Sequence, residues 1–260
     1  MQNKVLLILC DGTRPDYIRR CKHPFAQKIL GEWRCNMNAR TVFPSVTLPC
    51  HMSLMQSCTP DEHGVLSNEF VPVDGGRHGL FEQLREKKKT SAFFYSWGEL
   101  KDIHEPYSLS RGEFISSVVY GGEASAEALT ADAKSLIKQS APDFVFLYIE
   151  NTDSVGHISG WGSPEYEAAI YHAFSCIEEI VSTLPKEYSV LIMADHGGHE
   201  FTHGTTEDCD MTIPVLLSTE QPVDEQRFEH ASIIDIAPSI CDMLKISPYS
   251  KWRGSSFMAK

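Results

Sequence analysis

Positive charge is scarce in this 260-residue chain: 23 Lys and Arg stand against 35 Asp and Glu, a formal net charge of -12. That balance excludes nonspecific attraction to a nucleic-acid backbone or an anionic lipid surface, so neither a nucleic-acid polymer nor a membrane is expected as a partner. Long apolar runs are also missing. No stretch reaches the ~18 residues of a membrane span. The opening MQNKVLLILCDG has a short apolar run closed by Asp11 and no small-residue cleavage site, so it fits a first strand and not a signal peptide. The eight cysteines contain no C-x-x-C pair, which leaves out a zinc ribbon and a dithiol redox motif. Free thiols in a reducing cytoplasm are therefore expected. Internal repeats, low-complexity tracts and linkers are lacking, so residues 1–260 are read as a single domain.

What is present alternates. Val5 to Cys10 is a continuous apolar run, the signature of a strand buried on both faces, and a helix follows from Pro15. Phe144 to Glu150 and Tyr188 to Ala194 are two more such runs, and Ile213 to Leu217 a shorter one. Helical patterns fill 78–89, 123–139, 163–184 and 233–244, and Leu48 to Ser57 reads as a short helix starting near Thr47. Residues 39–49 read as extended, and the polar stretch 98–122 as the place for a small flap or insertion. Strands alternating with helices predict an α/β sandwich around a mainly parallel sheet, where ligands collect at the carboxyl ends of strands.

Three of those strand ends carry acids: Asp11, Asp153 and Asp195. Asp153 is followed by His157 and Asp195 by His196, so two of the three have an imidazole nearby. Mixed carboxylate and imidazole donors suit zinc, with manganese as the alternative, and do not suit calcium. The stretch LIMADHGGHEFTHG packs three of the eleven histidines, His196, His199 and His203, into fourteen residues. Its His199-Glu200-Phe201-Thr202-His203 spells H-E-x-x-H, which in a helix would be a zinc-protease site with Glu200 as base. Gly197-Gly198 before it and Gly204 after it are poor helix interior, and Thr206 breaks the extended form of that motif.

The segments LCDGTRPDYI, PSVTLPCHMSLMQSCTPDEHGVLSN, YIENTDSVGHISG and MADHGG followed by HG together resemble the ordered motifs of the alkaline phosphatase superfamily. The branch most similar is the nucleotide pyrophosphatase/phosphodiesterase group. The resemblance implies an alkaline-phosphatase-like three-layer sandwich, with a mainly parallel central sheet flanked by helices. It also implies two divalent ions: one held by Asp11, Thr47, Asp195 and His196, the other by Asp153, His157 and His203. Thr47 would be the nucleophile, passing through a phosphothreonine. Asn68, with a backbone amide near Thr47, would contact a nonbridging phosphoryl oxygen. Leu48 and Cys50 depart from the group, which has an aromatic residue and an asparagine there.

The resulting expectation is a metal-dependent hydrolase of phosphodiester or pyrophosphate bonds in a small phosphorylated substrate, built on a single catalytic domain. The alternatives are a phosphomonoesterase or phosphonate hydrolase of the same superfamily, an H-E-x-x-H zinc protease, and a non-catalytic metal-binding protein. A sulfatase needs an oxidisable Cys or Ser in a C/S-x-P-x-R core, and Thr47-Leu48-Pro49-Cys50-His51 offers neither that residue nor the arginine.

Overall fold

The structure, a computed structural model, describes residues 3–69 and 78–259. Seven strands form one sheet: β1 (Lys4–Cys10), β2 (Arg34–Arg40), β3 (Ser91–Tyr95), β4 (Arg111–Phe114), β5 (Phe144–Ile149), β6 (Tyr188–Met193) and β7 (Thr212–Ser218). Their spatial order is β2-β7-β6-β1-β5-β3-β4. β1 pairs in parallel with β5 and β6, and β3 with β5 and β4, while β7 runs antiparallel to β6 and β2. β7 is thus the single reversed strand, and the sheet is mainly parallel.

β1 shows why three layers form. Successive strand side chains point to opposite faces. Val5, Leu7 and Leu9 enter a core shared with the helices Thr47–Gln56, Leu80–Glu86 and Ile236–Met243. Leu6, Ile8 and Cys10 enter the opposite core, under Pro24–Glu32, Gly122–Ser140 and Pro164–Val181. All five residues from Val5 to Leu9 are fully buried. Each such side chain stabilises the fold by roughly 1.5–3 kcal/mol, which makes β1 the axis of the molecule. Helix Pro164–Val181 starts as its sequence dictates, with Pro164 in the first turn and the Ser163 hydroxyl accepting from the Tyr166 amide at 3.1 Å.

The register places the chemistry. Cys10 lies beside Ile149, and Leu9 beside Met193, so β1, β5 and β6 end together at one edge. Asp11 follows β1 directly, Asp195 lies two residues past β6, and Asp153 lies four past β5, in the helix Asn151–Ser159. The extended segment expected at 39–49 is displaced: the strand is Arg34–Arg40, and Thr47 already begins a helix. Its sequence RCNMNAR hides the strand because its outer positions are polar and it takes its order from pairing with β7. Residues 98–122 contain a 3-10 turn at Gly98–Asp102, the edge strand β4 and a short helix Ser117–Tyr120. Among the described residues no helix is long and apolar enough to cross a membrane.

Candidate metal centre

The carboxyl edge brings Asp11, Asp195 and His196 into one group and Asp153, His157 and His203 into another. In the first, His196 Nε2 lies 3.2 Å from Asp11 Oδ1 and 3.4 Å from Asp195 Oδ2, all three side chains being buried. The Thr47 hydroxyl, at the start of its helix, sits 3.1 Å from the same Nε2. In the second, His157 Nε2 is 3.5 Å from Asp153 Oδ2 and His203 Nε2 is 3.6 Å from Asp153 Oδ1. The groups abut, with the rings of His196 and His203 stacked at 3.9 Å. Gly12 separates them: its amide donates to Asp195 Oδ1 at 3.2 Å, its φ is +61°, and a Cβ there would stand 3.0 Å from Asp153 Oδ1.

The donor atoms are arranged for cations and not for each other. Backbone carbonyls take up the Nδ1 atoms of all three histidines: Gly197 O for His196 at 2.8 Å, Phe201 O for His157 at 2.9 Å and Ser45 O for His203 at 2.8 Å. An Nδ1–H donating to a carbonyl leaves Nε2 as a lone pair, the form that ligates a metal. With Nδ1 as the protonated nitrogen of each ring, the Nε2 atoms of His157 and His203, 3.1 Å apart, turn lone pairs toward each other. Asp11 Oδ1, Asp153 Oδ1 and Asp195 Oδ2 are buried without a hydrogen-bond partner. Asp11 Oδ1 is within ion-pair range of His196. Orphaned oxygens and opposed lone pairs at one place fit divalent cations.

Electrostatics agrees. Burial and then the neighbouring Asp195 push the Asp11 carboxyl up to about 6, and burial and then Asp11 push Asp153 up to about 7. Burial works to lower His196, but Asp195 and Asp11 overcome it and raise the imidazole to about 10. A proton on His196 thus takes the place that a cation would take. His203 goes the other way, lowered to about 3 by burial and by His196, so its Nε2 stays open for ligation.

Residues 86–248, more than half of the chain, match the family described as the metalloenzyme superfamily. The chain belongs to the metalloenzyme superfamily. Residues 5–106 match a second family, type I phosphodiesterase / nucleotide pyrophosphatase. An uncharacterized pyrophosphatase/phosphodiesterase of Schizosaccharomyces pombe is 24% identical over 75% of this chain and 45% of its own length. A 2,3-bisphosphoglycerate-independent phosphoglycerate mutase of Antithamnion sp. is 26% identical over 94% of this chain and 49% of its own. The chain thus spans about half the length of these curated relatives. Murine ectonucleotide pyrophosphatase / phosphodiesterase 5 shares the fold, with a TM-score of 0.76 at 15% identity, covering 98% of both chains. A 2-O glycosaminoglycan sulfatase does so at a TM-score of 0.74 and 16% identity, covering 98% of this chain and 73% of its own. These structures have the helix-flanked sandwich that the resemblance to the alkaline phosphatase superfamily implies.

Asn68 Oδ1 accepts from the Leu48 amide at 3.0 Å, which leaves its NH2 group as a donor beside Thr47. Leu48 and Cys50 are fully buried in the core, so neither side chain is presented at the edge to a substrate. Arg14 spends its guanidinium on Asp16 and on the Gly198 carbonyl. His199-Glu200-Phe201-Thr202 is no helix: His199 and Thr202 exchange two backbone hydrogen bonds of 2.9 Å, and Glu200 has φ +48°.

Sequence reasoning missed four supporting residues. Tyr148 donates its hydroxyl to Asp11 Oδ2, and Thr152 donates to the Asp11 carbonyl. His51, fully buried, holds Nδ1 2.9 Å from the Thr47 carbonyl and 3.5 Å from Asp195. Trp161 donates from Nε1 to the Gly12 carbonyl at 2.9 Å and stands edge-on to His157, ring centres 5.0 Å apart. Their signal is slight: a tyrosine in an otherwise apolar strand, and a histidine one turn after Thr47.

Proposed function

We propose that this chain is a metal-dependent phosphoric ester hydrolase of phosphodiesterase/nucleotide pyrophosphatase type, acting on a small phosphorylated substrate through Thr47. The observation that carries the reading is the pair of abutting carboxylate and imidazole groups, with three orphaned carboxylate oxygens between them and the Thr47 hydroxyl 3.1 Å from His196 Nε2 of the first. In this reading Asp11, Thr47, Asp195 and His196 hold one zinc ion and Asp153, His157 and His203 hold another. Such ions lower the pKa of coordinated hydroxyls and neutralise charge on phosphoryl oxygens. The Thr47 oxygen attacks phosphorus, the P–O bond to the leaving group breaks, and a phosphothreonine forms. Water then cleaves the phosphothreonine, so two inversions give retention at phosphorus. The Asn68 NH2 group and the amino end of helix Thr47–Gln56 receive the nonbridging oxygens.

Charge supports a diester or pyrophosphate over a monoester. Two divalent ions bring +4 against -3 from three aspartates, enough for a singly charged ester oxygen pair. The second negative charge of a monoester needs a further cation, and Arg14 is already committed to Asp16 and Gly198. Cysteines not joined in disulfides support a reducing cytoplasm, and one sheet running through the described residues supports one catalytic domain.

Hydrolysis of bis-p-nitrophenyl phosphate and p-nitrophenyl phosphate, with zinc or manganese, tests the reading in wild type and Thr47→Ala. The expected result is metal-dependent turnover of the diester that Thr47→Ala abolishes. Equal turnover by Thr47→Ala removes the nucleophile assignment, and preference for p-nitrophenyl phosphate transfers the reading to a phosphomonoesterase.

A further inference from the structure

The H-E-x-x-H stretch leaves one histidine without a role in the centre described above. His203 turns to His157, whereas His199 points its Nδ1 at Asp210 Oδ1, 2.8 Å away. Cys209 Sγ lies 3.9 Å from that same oxygen and 3.7 Å from Glu207 Oε2. Asp210 is buried, His199 and Cys209 are half-buried and Glu207 is exposed. The other Asp210 oxygen is held by two donors, the Thr205 amide at 2.9 Å and the Thr205 hydroxyl at 2.8 Å. They fix the carboxylate with Oδ1 turned to the imidazole and the thiol, the orientation that outer-shell hydrogen bonds give to a ligand.

We propose that His199, Cys209 and Asp210, with Glu207 at the rim, form a third cation site of zinc class, distinct from the two Asp/His groups at the sheet edge. Imidazole, thiolate and carboxylate are the donors that zinc takes, and tetrahedral zinc sets its donors about 3.3–3.8 Å apart. The thiol stands 3.7 Å from Glu207 Oε2 and 3.9 Å from Asp210 Oδ1, close to that range, and the His199–Asp210 hydrogen bond opens by about 0.5 Å to admit the ion. Ligation releases the Cys209 proton to solvent, and His199 gives up any proton on Nδ1, so binding tightens as pH rises. The ion would clamp the loop that carries His203 onto the short helix Asp208–Met211, where the Gly197 amide already donates to the Asp210 carbonyl at 2.8 Å.

Cobalt(II) titration of the full chain separates this site from the others, because only it contains sulfur. The wild type is expected to develop a thiolate-to-cobalt charge-transfer band in the near ultraviolet. Cys209→Ser is expected to lose the band and, by elemental analysis, one bound ion per chain, while keeping the visible d–d absorption of the Asp/His groups. His199→Ala, whose fold is checked by circular dichroism, is expected to weaken the same band. A wild type that binds no cobalt, or binds it without the band, overturns the proposal, as does a band undiminished in Cys209→Ser. Failure of the sheet-edge centre would instead remove the d–d absorption and the esterase activity and leave the band.

Discussion

Tyr148→Phe is the sharpest probe of how the centre is held. The ring stays in place, edge-on to His51 at 5.3 Å and buried in the core, and only the hydroxyl that donates to Asp11 Oδ2 is lost. Asp11 Oδ1 has no donor of its own, so the variant leaves both oxygens of a buried carboxylate without one. A hydrogen bond to a charged group contributes about 1.5–3 kcal/mol, and losing such an outer-shell partner costs a metal site roughly 10- to 100-fold in affinity. The effect should depend on metal. In chelator-stripped protein below about pH 6, Asp11 holds a proton and needs the donor less. With zinc bound, the carboxylate is ionised and the donor orients it. Zinc affinity measured by competition with a chromogenic chelator should therefore fall by one to two decades. The melting temperature of the loaded protein should drop by about 2–4 °C per kcal/mol lost, more than that of stripped protein at pH 5. Zinc affinity within threefold of wild type would refute the idea that Tyr148 orients Asp11.

Gly198→Ala should damage the second metal group, because a Cβ there would stand 2.2 Å from the Trp161 ring, which itself packs against His157 and His203. Overpacking of this kind costs about 1–3 kcal/mol, to be read as a lowered melting temperature with reduced zinc content, and an unchanged protein would contradict the wedge. Stripped protein should lose stability as pH rises from 7 towards 10. His196 is raised to about 10, above its unfolded value, so its contribution is complete below about 6.5 and lost through the folded pKa. Buried thiols, raised by desolvation, add the same sign, and zinc-loaded protein should lack the His196 part; melting curves across that range with and without chelator decide it. Asn68→Ala should lower kcat of the diesterase by roughly 10- to 1000-fold with little change in zinc content, as for loss of an oxyanion donor. Altered zinc content in that variant would make Asn68 a structural residue.

The sheet edge was legible because buried parallel strands read as unbroken apolar runs, and each of the three that matter ends in an acid within four residues. Period and punctuation were enough to place Asp11, Asp153 and Asp195 together. β2 and β4 were not legible, since RCNMNAR and RGEF are polar edge segments whose order comes from pairing with β7 and β3. Asp195-His196 was legible as a pair, but the destination of His199 was not. Its partner Asp210 lies eleven residues on, across a glycine-rich loop whose path the local sequence does not fix. Tyr148 was hidden for a related reason. A tyrosine in a buried strand packs as an aromatic residue, and its role appears only when β1 sets Asp11 beside it.

In the proposed function the centre is unfavourable without cations, which would link function to stability. Both Nδ1 atoms of the His157–His203 pair are engaged with carbonyls, and in the tautomer that donates to them two lone pairs meet at 3.1 Å. Asp11, raised by burial and then by Asp195, shares its low-dielectric pocket with that second acid. Neither conflict is relieved by rotating a side chain, because Gly12, Trp161 and Tyr148 fix the surroundings. A divalent ion in each group turns repulsion between donors into shared attraction. At one hundred times its dissociation constant, a ligand that binds only the folded state adds about 2.7 kcal/mol. Two such ions would add a large part of the 5–15 kcal/mol typical of a whole domain, on the order of a third or more. Metal loading and folding stability should therefore change together in every variant of these residues, whereas Thr47→Ala should abolish turnover with most of that stability intact.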